Sequence, residues 1–366
     1  MKFLLAQINP VVGDLEGNAK KILNIASKAS SISADFVLTP ELSLWGYPAN
    51  DLLFKKNLIN NQYQILDQLA LDINKKYGNL SISIGIAEKV NDSFFPNLYN
   101  SIALVEGGEW KIIARKIILP TYEVFDEKRY FRSEEKVSVL IKQIKNKTWR
   151  LGFTICEDLW VNKDIEGRGI HRKNPILALK KKKVDILVNL SASPYTLKKL
   201  ELRSKVSSFA AQYLQVPLIY VNQIGANDNL IFDGNSFILD KNGSKIKQLK
   251  SFSEDLSSWE IEQTKPEKNK FENSEMSSIF DALVLGVKDY AKKCGFKTAL
   301  VGLSGGIDSA LVSAIATAAL GSNNVYCVSM PSKWSSSHSK SDAKDLASRL
   351  KTVSYTHLTL PTICSV

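Results

Sequence analysis

Three residue types able to carry acid, base and nucleophilic chemistry stand at the ends of apolar runs in this chain. The clearest run is Trp149 to Trp160, in which β-branched and aromatic residues lead to Cys156 and then stop at the carboxylates of Glu157 and Asp158. A buried strand that ends at a polar site has this form. Cys156 is therefore read as a nucleophile. The thiolate is the reactive form and the free thiol titrates above neutrality, so such a residue needs a proton acceptor and a positive neighbour. Asp35 to Pro40 delivers Glu41, and Trp110 to Arg115 delivers Lys116 ahead of Ile117-Ile118-Leu119-Pro120. Taken singly, each also fits an ordinary charged residue at a strand end. Together they supply a base, a cation and a nucleophile.

Other chemistries have less to work with. Only three histidines occur, His171, His338 and His357, and none follows a strand-like run as Cys156 does. The acid–base work of a Ser-His-Asp or Cys-His arrangement thus falls to a carboxylate instead. The four cysteines, Cys156, Cys294, Cys327 and Cys364, show no Cys-x-x-Cys spacing, so neither a zinc site nor a disulfide framework is indicated.

A second chemical stretch lies near the C-terminus. The strand-like run Lys297 to Leu303 leads into Ser304-Gly305-Gly306-Ile307-Asp308-Ser309, and a small-residue helix follows over Ala310 to Leu320. Strand, glycine-rich loop and helix make a phosphate-binding arrangement, because glycines let backbone N–H groups approach oxygens and the helix start adds partial positive charge. The loop has no lysine, which argues against a Walker-type NTPase.

The elements that must hold these residues follow from patterning. The first ~250 residues alternate strand and helix signals, the pattern of an α/β domain. A hairpin is predicted where Ile102 to Val105 and Lys111 to Ala114 flank Glu106-Gly107-Gly108-Glu109. Apolar periodicity is lost over 251–274, which fills with Ser, Glu, Lys and Asn around Pro266 and is the expected linker. At 366 residues the chain exceeds the usual single core, so two domains are expected. An apolar fraction of 44% and a charged fraction of 23% describe a soluble globular protein, and no run approaches the ~20 apolar residues of a membrane helix. Met1 to Pro10 reads as a first strand rather than a signal peptide, so a cytoplasmic location is expected. The net charge of +11 is spread along the chain, with Lys180 to Lys183 as its one tight run. That run reads as a solvated helix end, and no nucleic-acid module accompanies it. The excess charge favours anionic nucleotide substrates.

Pro40-Glu41, Arg115-Lys116 before Leu119-Pro120, and Ile155-Cys156-Glu157-Asp158 together resemble the Glu–Lys–Cys triad of the nitrilase (carbon–nitrogen hydrolase) superfamily. The wording from Leu119 to Phe131 is similar to the glutaminase domain of glutamine-dependent NAD synthetases, and Ser304 to Ser309 resembles the loop of N-type ATP pyrophosphatases. Met330 to Ser336 and Ser341 to Ala347 resemble later segments of NAD synthetases. The resemblance implies a nitrilase-like α-β-β-α sandwich over 1–250, a linker over 251–274, and the start of a Rossmann-like α/β domain over 275–351. It implies catalysis by Glu41, Lys116 and Cys156, with a backbone N–H near residue 157 helping to hold the oxyanion. Glutamine would be held by Tyr122, Glu157, Ser193, Lys199 and Arg203, although Glu157 and Arg203 also fit loop surface. ATP phosphates would lie on Gly302, Leu303, Ser304, Gly305, Gly306, Ile307, Asp308 and Ser309. Asp308 would be a magnesium ligand, with no metal in the glutaminase half. The implied substrates are glutamine, ATP and deamido-NAD, with ammonia passing through a tunnel between the sites. No nucleic-acid or membrane partner is implied, and the full-length enzyme would be a homo-oligomer. Residues 352–366 read as an unrelated tail, so a truncated chain that keeps only the glutaminase half-reaction is expected. A stand-alone amidase is the alternative, and it would need no ATP loop. Another ATP-pyrophosphatase amidotransferase would be expected to carry a different glutaminase. A non-catalytic interaction protein is the remaining class.

Overall fold

The computed structural model describes residues 1–90, 95–144, 146–161, 173–263, 265–266, 274–331 and 334–355. The chain divides into two units, Met1–Glu272 and Asn273–Val366. The first begins with β1 (Lys2–Gln7), α1 (Leu15–Ser31), β2 (Phe36–Leu38), α2 (Lys56–Tyr77), β3 (Ser81–Lys89), β4 (Leu98–Glu106) and β5 (Glu109–Arg115). It continues with β6 (Ser138–Ile144), β7 (Lys147–Ile155), α3 (Pro175–Lys182), β8 (Ile186–Ser191), α4 (Lys199–Leu214) and β9 (Leu218–Asn222). The short strands β10 (Ile224–Asn227), β11 (Leu230–Asp233), β12 (Phe237–Leu239), β13 (Lys245–Gln248) and β14 (Asp255–Glu260) complete it.

Two six-stranded sheets result, in the orders β14-β1-β2-β3-β4-β5 and β13-β12-β9-β8-β7-β6. Their stacking follows from the two-residue period of a strand, which sends successive side chains to opposite faces. In β1, Phe3 and Leu5 enter the core between the sheets, while Leu4 and Ala6 pack with Ile22 and Ile25 of α1 and Leu66 of α2. In β8, Ile186, Val188 and Leu190 face the same inner core, and Leu187 joins Val206 and Ala210 of α4 on the outside. Each sheet is thus covered by helices on one face and by the other sheet on its inner face, which is the α-β-β-α sandwich. Asp14 caps α1 by accepting from the Gly17 N–H at 2.9 Å. The basic run closes α3, with Lys180, Lys181 and Lys182 in its last turn, where the helix dipole is negative.

The direction of the strands gathers one end of both sheets. β1, β2 and β3 are parallel, and β5 runs antiparallel to β4, hence in the same sense as β2. β7, β8 and β9 are parallel in the second sheet. Sites in α/β proteins collect at such carboxyl ends.

The second unit contains α5 (Glu275–Lys293), β15 (Ala299–Gly302), α6 (Ile307–Leu320), β16 (Val325–Val328), α7 (Ser337–Leu350) and β17 (Val353–Tyr355). The strands form one parallel sheet in the order β15-β16-β17, and α6 and α7 are its crossovers. Leu303, Ala316, Val325, Cys327, Ala343 and Ala347 are its core. This is a Rossmann-like α/β arrangement.

Two boundaries differ from expectation. β14 lies inside the stretch expected as linker and closes the first sheet by pairing with β1, Phe3 opposite Trp259. An edge strand keeps polar residues toward water, and that composition hid it. The expected tail begins with β17, which pairs with β16; residues 356–366 lie outside the described residues.

Candidate active site

Glu41 follows β2, Lys116 follows β5 and Cys156 follows β7, so two side chains come from one sheet and the third from the other. Cys156 opens a short 3-10 turn, Cys156–Leu159, at φ +46°. That left-handed conformation costs a non-glycine residue about 1–2 kcal/mol and turns the chain sharply at the strand end. Leu42, beside Glu41, is left-handed too, at φ +45°. The turn holding Glu41 rests on Gly85 of β3. There the Gly85 N–H donates to Ser43 Oγ at 3.0 Å and Gly85 O accepts from the Leu44 N–H at 3.1 Å. A Cβ at Gly85 would lie 2.2 Å from the Leu42 nitrogen and 2.7 Å from Pro40 O.

All three side chains are buried, Lys116 completely. The Lys116 ammonium donates to Glu41 Oε1 at 2.6 Å and to Glu127 Oε1 at 2.7 Å. Glu41 Oε1 also accepts from Asn100 Nδ2 at 2.7 Å, and its Oε2 accepts from the Ala192 N–H at 2.9 Å, past the end of β8. Tyr47 donates to Glu127 Oε1 at 2.8 Å. Burial alone would lower the pKa of Lys116, but Glu127 and Glu41 outweigh it and hold it well above the usual lysine range. Burial, aided by Glu41, lifts the Glu127 carboxyl to about 7 against the opposing pull of Lys116. Burial and the Glu41 charge push the Cys156 thiol well above its ordinary value, and Lys116 opposes them. The resting sulfur is therefore a protonated thiol, which must lose its proton as it attacks. Such an arrangement suits nucleophilic catalysis with a carboxylate base and a fixed cation.

Of the expected glutamine contacts, Tyr122 donates to Glu157 Oε2 at 3.0 Å, and the Lys199 ammonium lies 4.9 Å from the centre of the Trp160 ring. Ser193 and Arg203 lie together, with Arg203 Nε donating to Ser193 Oγ at 3.0 Å. The Arg203 guanidinium also binds both Asp233 oxygens at 2.8 and 3.0 Å and the carbonyls of Ser193 and Pro194. Neither Glu157 nor Arg203 is loop surface; both are buried. Sequence reasoning did not assign roles to Glu127, Asn100 or Ala192. Glu127 stands within the Leu119 to Phe131 wording, which was its only signal. Asn100 and Ala192 reach Glu41 through pairing that no local pattern announces.

In the second unit, Gly302 ends β15, Leu303 to Gly306 form the connecting loop and Ile307 to Ser309 open α6. Gly305 is at φ +86°, and a Cβ there would lie 2.2 Å from Ser339 O. Ser304 Oγ and Ser309 Oγ are 3.0 Å apart, and the Gly306 N–H donates to Ser304 Oγ at 3.2 Å. Asp308 is exposed in the first turn of α6. No group of three or more His, Cys, Asp and Glu able to hold a metal occurs among the described residues. A single carboxylate still fits magnesium, which binds through one or two carboxylates together with substrate phosphates. No helix among the described residues is long and apolar enough to cross a membrane.

The sequence matches the profile of the carbon–nitrogen hydrolases over residues 5–265. The chain belongs to the carbon–nitrogen hydrolase family. Beyond this carbon–nitrogen hydrolase domain, residues 279–365 match the NAD synthase profile, so the match runs through most of the expected tail. The chain is 43% identical over 357 residues to the glutamine-dependent NAD(+) synthetase of Synechocystis sp., covering 94% of this chain and 62% of that protein. The structure of glutamine-dependent NAD+ synthetase from Acinetobacter baumannii in complex with ADP superposes with a TM-score of 0.84 at 34% identity. That match covers 96% of this chain and 64% of that one. The chain thus spans under two thirds of the length of these relatives. An amidase from Nesterenkonia sp. shares the sandwich fold, with a TM-score of 0.56 at 19% identity over 70% of this chain and 89% of that one. The carbon–nitrogen hydrolase and NAD synthase profiles thus match in that order, and a stand-alone amidase would need no second domain.

Proposed function

We propose that the chain hydrolyses glutamine through Cys156, Glu41 and Lys116 and that the released ammonia serves ATP-dependent amidation of deamido-NAD to NAD. The observation that carries the first half is the Lys116 ammonium held 2.6 Å from Glu41 Oε1 among buried groups, with its charge acting on the Cys156 thiol. As Cys156 Sγ bonds to the amide carbon, its proton passes to Glu41, and Lys116 with a backbone N–H near residue 157 stabilises the oxyanion. Glu41 returns the proton to nitrogen, the C–N bond breaks and ammonia leaves a thioester. Water attacks the thioester carbon, giving a proton to Glu41; the C–S bond breaks, the sulfur recovers that proton and glutamate departs. Glu157 and Lys199 bring opposite charges that complement the α-ammonium and α-carboxylate of glutamine, and Tyr122 and Ser193 complete the pocket.

In the second half, the backbone of Gly302 to Ser309 and the start of α6 cradle the ATP phosphates, and Asp308 would hold magnesium beside them. Adenylation of deamido-NAD releases pyrophosphate, and ammonia then displaces AMP to give NAD. A cytoplasmic location and a homo-oligomer belong to the same reading.

The test measures glutamate and NAD formation by this chain and by Cys156→Ala, with and without ATP and deamido-NAD. Glutamate formation that disappears in Cys156→Ala supports the triad, and NAD formation reports the second half separately. Glutamate formation that persists in the variant would overturn the assignment.

A further inference from the structure

The segment that carries Lys116 leaves β5 without joining another strand, so its next backbone donors have no ladder to enter. Buried N–H groups must find acceptors elsewhere. The N–H groups of Ile117 and Ile118 both donate to Asp158 Oδ1, at 3.0 and 2.7 Å. Asp158 Oδ2 accepts from the Ile155 N–H at 3.0 Å. One buried carboxylate thus binds the two residues after Lys116, at the end of one sheet, and the residue before Cys156, at the end of the other. The Lys116 segment has further bonds: the Lys116 N–H donates to Asn100 O at 2.8 Å, Lys116 O accepts from the Glu134 N–H at 3.0 Å, and Ile117 O accepts from Ser133 Oγ at 2.5 Å.

We infer that Asp158 is a positioning residue that fixes the register between the Lys116 ammonium and the Cys156 thiol by clamping these three amides. The inference rests on the reading of Cys156 and Lys116 given above. The task calls for an acceptor-only group. Burial lifts the Asp158 carboxyl to about 7, and its bonds from the Ile118, Ile155 and Ile117 amides, with the Lys116 charge, oppose that rise and favour the ionised form. That form offers two oxygens and no hydrogen, whereas the amide of asparagine sets an NH2 against at least one of the three donors. Glutamate keeps the charge but moves the oxygens by one carbon–carbon bond. Misplacement of reacting groups by about 1 Å can lower a rate about 100-fold, and that loss appears in turnover rather than in substrate binding.

The experiment compares glutamine hydrolysis by the unmodified chain, Cys156→Ala, Asp158→Asn and Asp158→Glu, with melting curves for each. Rates are counted per Cys156 titrated with an electrophilic glutamine analogue. Cysteine-dependent hydrolysis in which both Asp158 variants melt cooperatively, lose about 100-fold in kcat and keep KM within about threefold supports the clamp. Were the parent's hydrolysis independent of Cys156, the underlying reading would fail and the inference with it. Cysteine-dependent hydrolysis with kcat in Asp158→Asn within about twofold of the parent would overturn the clamp alone. If Asp158→Asn does not fold, Asp158→Glu is judged by the same kcat criterion. Hydrogen exchange in the unmodified chain needs no variant: amides of Ile117, Ile118 and Ile155 that exchange as fast as exposed loop amides would refute the clamp, and shared protection supports it.

Discussion

Glu127 Oε1 lies 2.7 Å from the Lys116 ammonium, nearly as close as Glu41 Oε1 at 2.6 Å on the same nitrogen. Two buried carboxylates therefore share one buried cation, and full ionisation would leave an unbalanced negative charge. Burial lifts the Glu127 carboxyl from 4.5 to about 7, with Lys116 opposing and Glu41 adding to the rise. A carboxyl whose folded pKa lies above its unfolded one keeps a proton that the unfolded chain has released. Its stabilising contribution is complete below about 4.5 and is lost as pH rises through about 7. Glu127→Gln removes that dependence. Relative to the unmodified chain, the variant should gain a few degrees in melting temperature between pH 5 and pH 8. An offset that does not change with pH would contradict the assignment.

Glu41 is bonded by an ammonium, a side-chain amide and a backbone N–H, so it is fixed before substrate arrives. Replacement by glutamine keeps the shape and removes the base. Under the proposed mechanism, Glu41→Gln should lower kcat for glutamine hydrolysis by about 10²–10⁴ with little change in KM. Steady-state glutamate formation reads this directly, and a loss below about tenfold would exclude Glu41 as the base.

The Arg203 guanidinium has its Nε and both terminal nitrogens bonded to Asp233, Ser193 and Pro194. Those contacts fit a residue that shapes the loop around Ser193 more than one that grips glutamine. Arg203→Ala would leave Asp233 buried without its counter-ion, with Asn235 Nδ2 still donating to it at 2.8 Å, at a loss of about 3–5 kcal/mol in urea unfolding. A raised KM for glutamine with unchanged stability would instead make Arg203 a direct substrate contact.

Gly305 sits where a Cβ would meet Ser339 O at 2.2 Å, in a left-handed conformation. Gly305→Ala should push the loop off α7 and weaken ATP binding by the whole chain at least about tenfold, or 1.4 kcal/mol, in titration calorimetry. Unaltered affinity would place the nucleotide elsewhere.

Glu41, Lys116 and Cys156 could be singled out because each follows an apolar run, and the proposed ATP loop because its glycines and serines are contiguous. β14 was not, since its polar side chains are those of an edge strand and its partner β1 lies at the other end of the unit. Glu127 and Asp158 were written in plain view, but their roles come from contacts with Lys116 and with the amides beyond it, across a distance in sequence that no local period spans. Arg203 also fitted loop surface, and its burial is matched by an ion pair to an aspartate that arrives with β11.

Gly85 bears no reactive atom, yet a methyl group there would strike the Leu42 nitrogen at 2.2 Å, backbone that cannot swing aside as a side chain can. Inheritance of alanine at this codon would displace the turn that holds Glu41 while every chemically active side chain stayed intact. A survey of alleles that looked only for lost catalytic residues would score that one as sound.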